Sequence, residues 1–579
     1  MPAVARVLCD ASGPDRTFDY LIPAPLIGRV AVGSIVRVDL HGRRIGGWVV
    51  ALDPEDAHEI EHLLPLRRLS GHGPFPDVVK LAYWAAYRWA GRPSQFLRSA
   101  SPPRAVLTIP EARLTSIVPE PRSPATARLI GGHGGVLRLP PGSDVLPAVW
   151  SALVKGPVLL IAPGVDDVAI LAGRLRRAGV TVAVLPDEWN RAAGGVDVSI
   201  GTRSAVFASV PSLGSIVVID EHDERLQSES SPTWHAREVA IERARRAEIP
   251  AVLVSSVPTP EARHGRVLEA PERDREIAGW PRIVVVDPTV HDGPTRGRVS
   301  SELLAEVRNR DRRVLCITNT PGRSGLLACR QCRDLARCES CEATMVQHAD
   351  GELGCRRCGG ARPAVCASCG AGAFINLRPG AARIAKELEA ASSRHVQLIE
   401  RDASPHWDDA QATGGISDVF VGTEAVLHRV RSADTVVFLD IDSELFAPRF
   451  RAGQQVLSLA ALAASVVGGR RANGLVIIQS STPSHPLLMA LAAADPGRAG
   501  EIETTLRQDL QLPPFGGLAI VEGAGAGEFV DSLPATVRVG GDAERRQVRA
   551  ESASMLSDAL SEGRRPSRGR LRVAVEPAR

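Results

Sequence analysis

Between residues 126 and 285, short runs of almost purely apolar residues alternate with stretches whose apolar positions recur every three or four residues. The runs Val158–Ala162, Val180–Leu185, Val196–Gly201, Ile216–Asp220 and Ala251–Ser255 lack a polar alternate face, which predicts strands buried on both sides. Val165–Ala178 and His235–Ala247 carry the helical spacing. The alternation predicts a parallel sheet with helices on both faces. A second block repeats it with strands over Val314–Thr318, Val396–Ile399, Val419–Gly422, Val436–Asp440 and Gly474–Gln479.

The ends of the chain read differently. Val4–Leu8, Val32–Leu40 and Ile45–Leu52 are β-rich, with turns at Gly33-Ser34 and His41-Gly42. From Pro76 to Ser99 the spacing becomes helical, with Val79, Leu81, Ala82, Trp84, Ala85 and Trp89 on one stripe, and Pro102-Pro103 ends it. Residues from about 484 form a last α/β piece closing on Leu571–Val575, with the charged stretch 540–570 read as partly loose. The expected domains are 1–68 (β), 69–125 (helical), 126–285 and 286–483 (the two α/β blocks) and 484–579.

A chain of 579 residues exceeds one core, and its 44% hydrophobic content is ordinary for a globular protein. The net charge of +3 restricts any nucleic-acid binding to local patches. Lys80, Lys155 and Lys386 are the only lysines, so arginine abundance reflects composition before function. The longest apolar stretch, Val456–Val467, is interrupted by serines and too short to span a bilayer. With no basic-then-apolar amino terminus, the expectation is a cytoplasmic protein without a membrane partner.

Eight of the ten cysteines form four Cys-x-x-Cys pairs: Cys329/Cys332, Cys338/Cys341, Cys355/Cys358 and Cys366/Cys369. Each pair offers two thiolates to one ion, and a tetrahedral site takes four, so the segment 326–372 is expected to hold two Zn²⁺. All-cysteine ligation leaves no open position, which makes the metal structural rather than catalytic. A disulfide framework would need an oxidising compartment, and only Cys9 and Cys316 lie outside the segment. Spacing alone leaves open which pairs share an ion.

Two parallel α/β blocks resemble paired motor lobes, yet the nucleotide site is missing its parts. A phosphate loop needs glycines, a lysine and a hydroxyl in the order G-x-x-x-x-G-K-[ST]. The first strand of the block, around Val136–Leu139, runs instead into Pro140-Pro141-Gly142-Ser143-Asp144, and no lysine occurs in residues 81–154. The prolines remove amides, and Asp144 brings the wrong charge for a phosphate. Ile216–Asp220 ends in Asp220-Glu221-His222-Asp223, carboxylates at a strand's carboxyl end that could hold Mg²⁺ or simply face solvent.

The combination resembles the primosomal protein N′ family of replication restart proteins, PriA. The resemblance rests on Ile200-Gly201-Thr202-Arg203-Ser204-Ala205-Val206-Phe207, the acidic strand end, the four cysteine pairs, and Leu439-Asp440-Ile441-Asp442 followed by Phe450-Arg451. It extends to Phe18-Asp19-Tyr20 near the amino terminus, and to Leu512-Pro513-Pro514-Phe515 and Leu571-Arg572-Val573 near the other. The departures fall at the nucleotide site: Gly142, Ser143 and Asp144 in the loop, and Asp220 and Glu221 at the strand end after Ile219. They continue at Asn319-Thr320-Pro321-Gly322, at Gly422-Thr423-Glu424 and at Gly468-Gly469-Arg470-Arg471.

The resemblance implies two tandem RecA-like lobes with a two-zinc, eight-cysteine insertion. An amino-terminal β domain that binds a 3′ DNA end, a small winged-helix-like helical domain and a carboxyl-terminal α/β domain complete it. It implies that Phe18, Asp19 and Tyr20, with Gly33 nearby, grip the DNA end, and that Arg88, Arg92 and Arg98 face duplex phosphates. It also implies nested zinc pairing: Cys329, Cys332, Cys366 and Cys369 on one ion, and Cys338, Cys341, Cys355 and Cys358 on the other. The partners implied are forked and single-stranded DNA, primosome proteins, the replicative helicase and single-stranded-DNA-binding protein. The resulting expectation is a replication restart protein that recognises abandoned forks and helps reload the helicase, with no catalytic residues and no ATP/Mg²⁺ requirement. An active ATP-dependent 3′-to-5′ helicase and a zinc-dependent protein-interaction scaffold are the competing expectations.

Overall fold

The computed structural model describes residues 3–11, 15–56, 63–115, 120, 122–288, 299–318, 327–332, 334–339, 345–347, 351–355, 360–376, 381–399, 418–542, 545–566 and 570–578. The chain forms two compact units, one of residues 1–139, 143–271 and 500–579, the other of 140–142 and 272–499.

The first unit opens with a five-stranded antiparallel sheet. Its strands are β1 (Val4–Cys9), β2 (Thr17–Leu21), β3 (Ile35–Leu40), β4 (Arg43–Leu52) and β5 (Arg68–Gly71), in the order β2-β1-β4-β3-β5. One face buries Ala5, Val7, Val36, Val38 and Val49 in a core of its own. From the other face Leu8 and Trp48 join the core built by the helices α1 (Pro76–Arg88) and α2 (Pro93–Ala100). Because β5 pairs with β3, the first domain extends past the expected limit at residue 68. The described part of the segment 69–125, expected as a winged-helix-like domain, contains α1 and α2. Two helices pack directly on the sheet, and among the described residues no third helix or wing follows before residue 115.

The next sheet has seven strands in parallel: β6 (Gly134–Arg138), β7 (Val158–Ile161), β8 (Val182–Val184), β9 (Val198–Gly201), β10 (Ser215–Val218), β11 (Ala251–Ser255) and β12 (Leu268–Glu269). Their order is β12-β6-β11-β10-β7-β9-β8. Strands β7, β9, β10 and β11 are buried at every residue, which is why the sequence shows runs rather than alternation. The helix Val165–Arg177 buries Val168, Leu171, Ala172 and Leu175, and the Asp167 carboxylate accepts the Gly164 amide at its start. Phe96 of α2 meets Phe207 and Trp234, with ring centroids 5.6 and 6.1 Å apart, so the helical pair is locked onto this block.

The second unit carries a six-stranded parallel sheet. It begins with β13 (Arg282–Val286) and β14 (Val314–Ile317), after which come the short strands of the cysteine segment, β15 (Leu327–Cys329), β16 (Met345–Gln347), β17 (Leu353–Cys355), β18 (Ala361–Arg362) and β19 (Phe374–Asn376). The sheet is completed by β20 (Val396–Ile399), β21 (Val419–Gly422), β22 (Thr435–Phe438) and β23 (Leu475–Gln479), in the order β13-β23-β22-β14-β21-β20. Strand β13 pairs with β23, so the expected boundary at 285/286 cuts a strand of this sheet.

Residues from Gly500 onward return to the first unit, so its last domain starts later than the expected 484. This domain is the antiparallel sheet β25 (Arg538–Gly541), β26 (Arg545–Ala550), β24 (Gly517–Glu522), β27 (Arg572–Val575). Within the stretch 540–570, expected to be partly loose, lie β26 and the helix Ala553–Glu562, the helix burying Leu556, Ala559 and Leu560.

Arg88 pairs with Glu576 at 2.6 Å where α1 meets this last sheet, both side chains being largely buried. It is therefore an internal tie rather than the phosphate contact expected. Removing one partner leaves a largely buried charge without its mate, whereas removing both does not. Arg88→Ala is predicted to cost about 2–4 kcal/mol in urea unfolding, and Arg88→Met with Glu576→Leu about half of that or less. Equal losses in the two variants would show that the pair contributes nothing beyond side-chain packing.

Candidate functional sites

The antiparallel pairing of β15 with β19 sets Cys329 opposite Phe374 and so folds the two ends of the cysteine segment together. The Sγ atoms of Cys329, Cys332, Cys366 and Cys369 all lie within 4.8 Å of one another. Cys329 and Cys369 are 3.5 Å apart at sulfur, and Cys332 and Cys366 3.6 Å. A disulfide would require about 2.05 Å. Four sulfurs at about 2.3 Å from one tetrahedral ion sit about 3.7 Å from each other, which is what this cluster offers. The residues therefore fit a metal ion of the zinc type, with Cys329 and Cys366 buried and Cys332 and Cys369 at the surface.

Backbone amides favour the thiolate at two of the four cysteines, whereas Cys332 and Cys369 are pushed up by hydrogen bonds from their neighbouring cysteines. The Cys332 and Gln331 amides bring the Cys329 thiol down to about 6. The Cys369 and Ser368 amides lower Cys366 in the same way. The first and last pairs thus share a site, which spacing alone had left open. Of the other expected set, Cys338 and Cys355 are buried in a small core with Leu327, Met345 and Leu353, while Cys341 and Cys358 lie outside the described residues. Cys329→Ser and Cys366→Ser are each predicted to purify with one zinc per chain fewer than the parent, measured by elemental mass spectrometry.

The loop after β6 is organised around Asp144. Its carboxylate receives the Arg174 guanidinium at 2.9 and 3.1 Å and the Leu146 amide at 3.1 Å. Partial burial works to raise this carboxyl, but those partners hold it below the ordinary carboxylate value. In a phosphate loop the amides at the start of the following helix face the anion. Here one of them is capped by the protein's own carboxylate, and the neighbouring cation is neutralised.

The strand end after β10 is likewise committed. Glu221 is fully buried and meets Arg237 at 2.9 Å, the Thr259 amide at 2.8 Å and the Thr259 hydroxyl at 2.9 Å. Burial acts against the Arg237 charge, and Glu238 and Glu221 more than restore it. Asp220 adopts a left-handed backbone with φ of 46°, and desolvation raises its pKa, with His222 opposing and Asp223 and Asp167 adding to the shift. The His222 ring lies 2.8 Å from the Ser255 hydroxyl. The loop beyond is fixed to the last domain: Gln227 donates to the Glu576 carbonyl at 2.7 Å and Thr233 to the Val575 carbonyl at 2.7 Å.

Two signals in the sequence point to this network. Arg237 stands in the apolar stripe of its helix beside Val239 and Ala240, and Thr259 caps the helix Pro260–Arg263. Asn319, Thr320, Pro321 and Gly322 lie outside the described residues.

In the first sheet, Asp19 stands opposite Arg6 and takes its guanidinium on both oxygens, at 2.8 and 3.0 Å. Tyr20 is buried and donates to the Asp39 carbonyl at 3.1 Å. Phe18 packs against the same core. The three expected DNA-end residues thus have internal partners. Arg98 pairs with Asp10.

Known proteins resemble the chain along most of its length. Residues 6–102 match the 3'DNA-binding domain (3'BD) family, which spans the first sheet and both helices after it. A probable replication restart protein PriA of Mycobacterium tuberculosis is 29% identical over 573 residues, covering 88% of this chain and 85% of that one. The replication restart protein PriA of Bacillus subtilis is 28% identical over 410 residues, 65% of this chain and 51% of its own. Among solved structures, the DUF1998 helicase MrfA bound to DNA and AMPPNP aligns at 11% identity with a TM-score of 0.37, over 68% of this chain and 54% of that one, too distant to carry an argument. The chain is a homologue of proteins named replication restart protein PriA.

The opposite environments of the two acids at the strand end give opposite predictions. Glu221→Gln breaks a buried pair and is predicted to cost about 3–5 kcal/mol. Asp220 has a folded pKa above its ordinary 3.8, so its ionisation opposes folding as pH rises through that value. Asp220→Asn is therefore predicted to stabilise at pH 7, with the gain shrinking as pH falls toward 4, read from urea unfolding across that range.

Proposed function

We propose that this protein is a replication restart factor that recognises abandoned forks by their DNA structure and supports reloading of the replicative helicase without hydrolysing ATP. Homology to proteins named replication restart protein PriA, together with the 3'DNA-binding domain match at residues 6–102, supports the restart role and the DNA partner. The observation that carries the loss of the motor is Asp144. A triphosphate needs free amides and a cation where this carboxylate caps the Leu146 amide and neutralises Arg174. Displacing it would expose the guanidinium, but Pro140 and Pro141 would still lack the amides that cradle a phosphate.

The zinc role in this reading is structural. Among the described residues of 327–376 there are only short strands, and the ion at Cys329, Cys332, Cys366 and Cys369 would supply the cross-link that a small core cannot. A second ion on Cys338, Cys341, Cys355 and Cys358 completes the proposal. The surface so ordered is the candidate contact for primosome proteins.

Steady-state ATP turnover measured with forked DNA tests the reading. The expected result is no DNA-stimulated hydrolysis, together with fork binding that weakens when the 3′ end is blocked and does not respond to ATP. Turnover stimulated by the fork and abolished by Asp220→Asn would overturn the absence of a motor. Equal affinity for forks and blunt duplex at physiological salt would overturn fork recognition itself.

A further inference from the structure

The first sheet bears a second feature that none of Phe18, Asp19 and Tyr20 lines. A cavity of about 570 Å³ opens between its outer face and the segment that follows α2. Its charged lining is four arginines, Arg37, Arg44, Arg98 and Arg104, against a single carboxylate, Asp10. That carboxylate is taken by Arg98. Arg44 reaches Asp39 only at 3.9 Å, and Asp39 is more closely engaged by Arg67. Among the described residues neither Arg37 nor Arg104 has an ion-pair partner, and both are exposed. Other exposed arginines, Arg29 and Arg113 among them, also show no ion pair among the described residues, but they do not line this cavity.

The local build explains how the charges converge. Arg37 on β3 stands opposite Gly46 on β4, and the absent side chain there lets its guanidinium lie over the neighbouring strand. Arg104 comes from the far wall, where Pro102 and Pro103 stiffen the chain after α2. Trp48 forms part of the lining, but it is buried and its indole N–H donates to Ser101 at 2.8 Å. The cavity thus offers guanidinium donors, and the one exposed aromatic ring in its lining is the small imidazole of His72.

We infer that this arginine-lined cleft holds the sugar-phosphate backbone of the bound DNA, as a site separate from the DNA-end residues and indifferent to base sequence. Guanidinium forks match phosphate oxygens, and contacts of this kind position a nucleic acid without reading it. With Trp48 buried and His72 the one exposed aromatic ring, the lining favours phosphate contact over a row of stacked bases. The inference rests on the DNA-binding reading above and names the backbone contact within it.

The test is fork binding by the full-length protein across salt, comparing the parent with the double variant Arg37→Gln, Arg104→Gln. Both side chains are exposed and unpaired, so the fold is expected to be retained, checked by circular dichroism and zinc content. Losing two phosphate contacts should lower the slope of log affinity against log salt by about 1.4–1.8 and the affinity at 50 mM salt by about tenfold. The loss should be the same on forks of scrambled sequence, and the preference for a free 3′ end should remain. A control pair of exposed arginines elsewhere in the unit, Arg113→Gln with Arg177→Gln, likewise without ion pairs among the described residues, should leave the slope unchanged. An unchanged slope in the cleft variant, an equal loss in the control, or a loss confined to one sequence would each overturn the inference. If the parent itself binds no fork, the failure belongs to the proposed function and is seen before any variant is made.

Discussion

A carboxylate taken wholly out of water has to be matched by charge and hydrogen bonds, or it will not remain buried as an anion. Glu221 is so matched, by Arg237 and by both donors of Thr259, and this arrangement decides what the acidic strand end can be. It joins the end of β10 to the helix Ala236–Ala247 and to the turn after β11 in one closed network. A group that binds Mg²⁺ needs a lone pair facing a water-filled site, and Glu221 has spent its oxygens inward. The network gives the end of this strand a structural role of its own. Asp144 repeats the logic nearer the surface, where Arg174 and the Leu146 amide occupy the same carboxylate. Both acids are internal ligands of the fold.

Strand existence was legible wherever the apolar runs were long enough to be buried on both faces. Ala251–Ser255, Val396–Ile399 and Val419–Gly422 fall on the same residues in the structure as in the sequence reading. Sheet membership was not legible. Strand β13 has the same Val-rich character as its predecessors, and only its pairing with β23, far along the chain, assigns it to the second sheet. The strand β5 is similar: Arg68–Gly71 has one buried residue and little apolar signal, and its place is fixed by β3. A local pattern reports what a segment buries. It does not report which neighbour does the burying.

Site residues divide along the same line. Cys-x-x-Cys spacing announces metal ligation because the two thiolates of a pair are brought together by one local turn. The choice between nested and neighbouring pairs is a tertiary fact, settled here for the first and last pairs by the β15–β19 ladder. Asp19 looked like an acceptor for a DNA end because it lies between two aromatics, whereas the structure gives its carboxylate to Arg6 across the β1–β2 pair. A cross-strand ion pair joins residues 13 apart in sequence, and no periodicity in a single strand encodes it.

Arginine is the cation of this chain by default, so its abundance says nothing about nucleic acid. What discriminates is whether each guanidinium is already neutralised. Arg6, Arg88, Arg174, Arg237 and Arg507 each face a carboxylate, and a neutralised guanidinium releases no counterion when a phosphate approaches. With a net charge of only +3, the protein cannot draw DNA in by its overall field. Affinity has to come from few contacts, and the cleft bearing Arg37 and Arg104 is one place where unspent guanidinium charge and open space coincide. A protein with few phosphate contacts holds plain duplex weakly, so the fork recognition proposed above would have to come from geometry, from which strand end and which arm can reach which module at once. Weak general attraction is, on this argument, a condition for structural selectivity rather than a deficit.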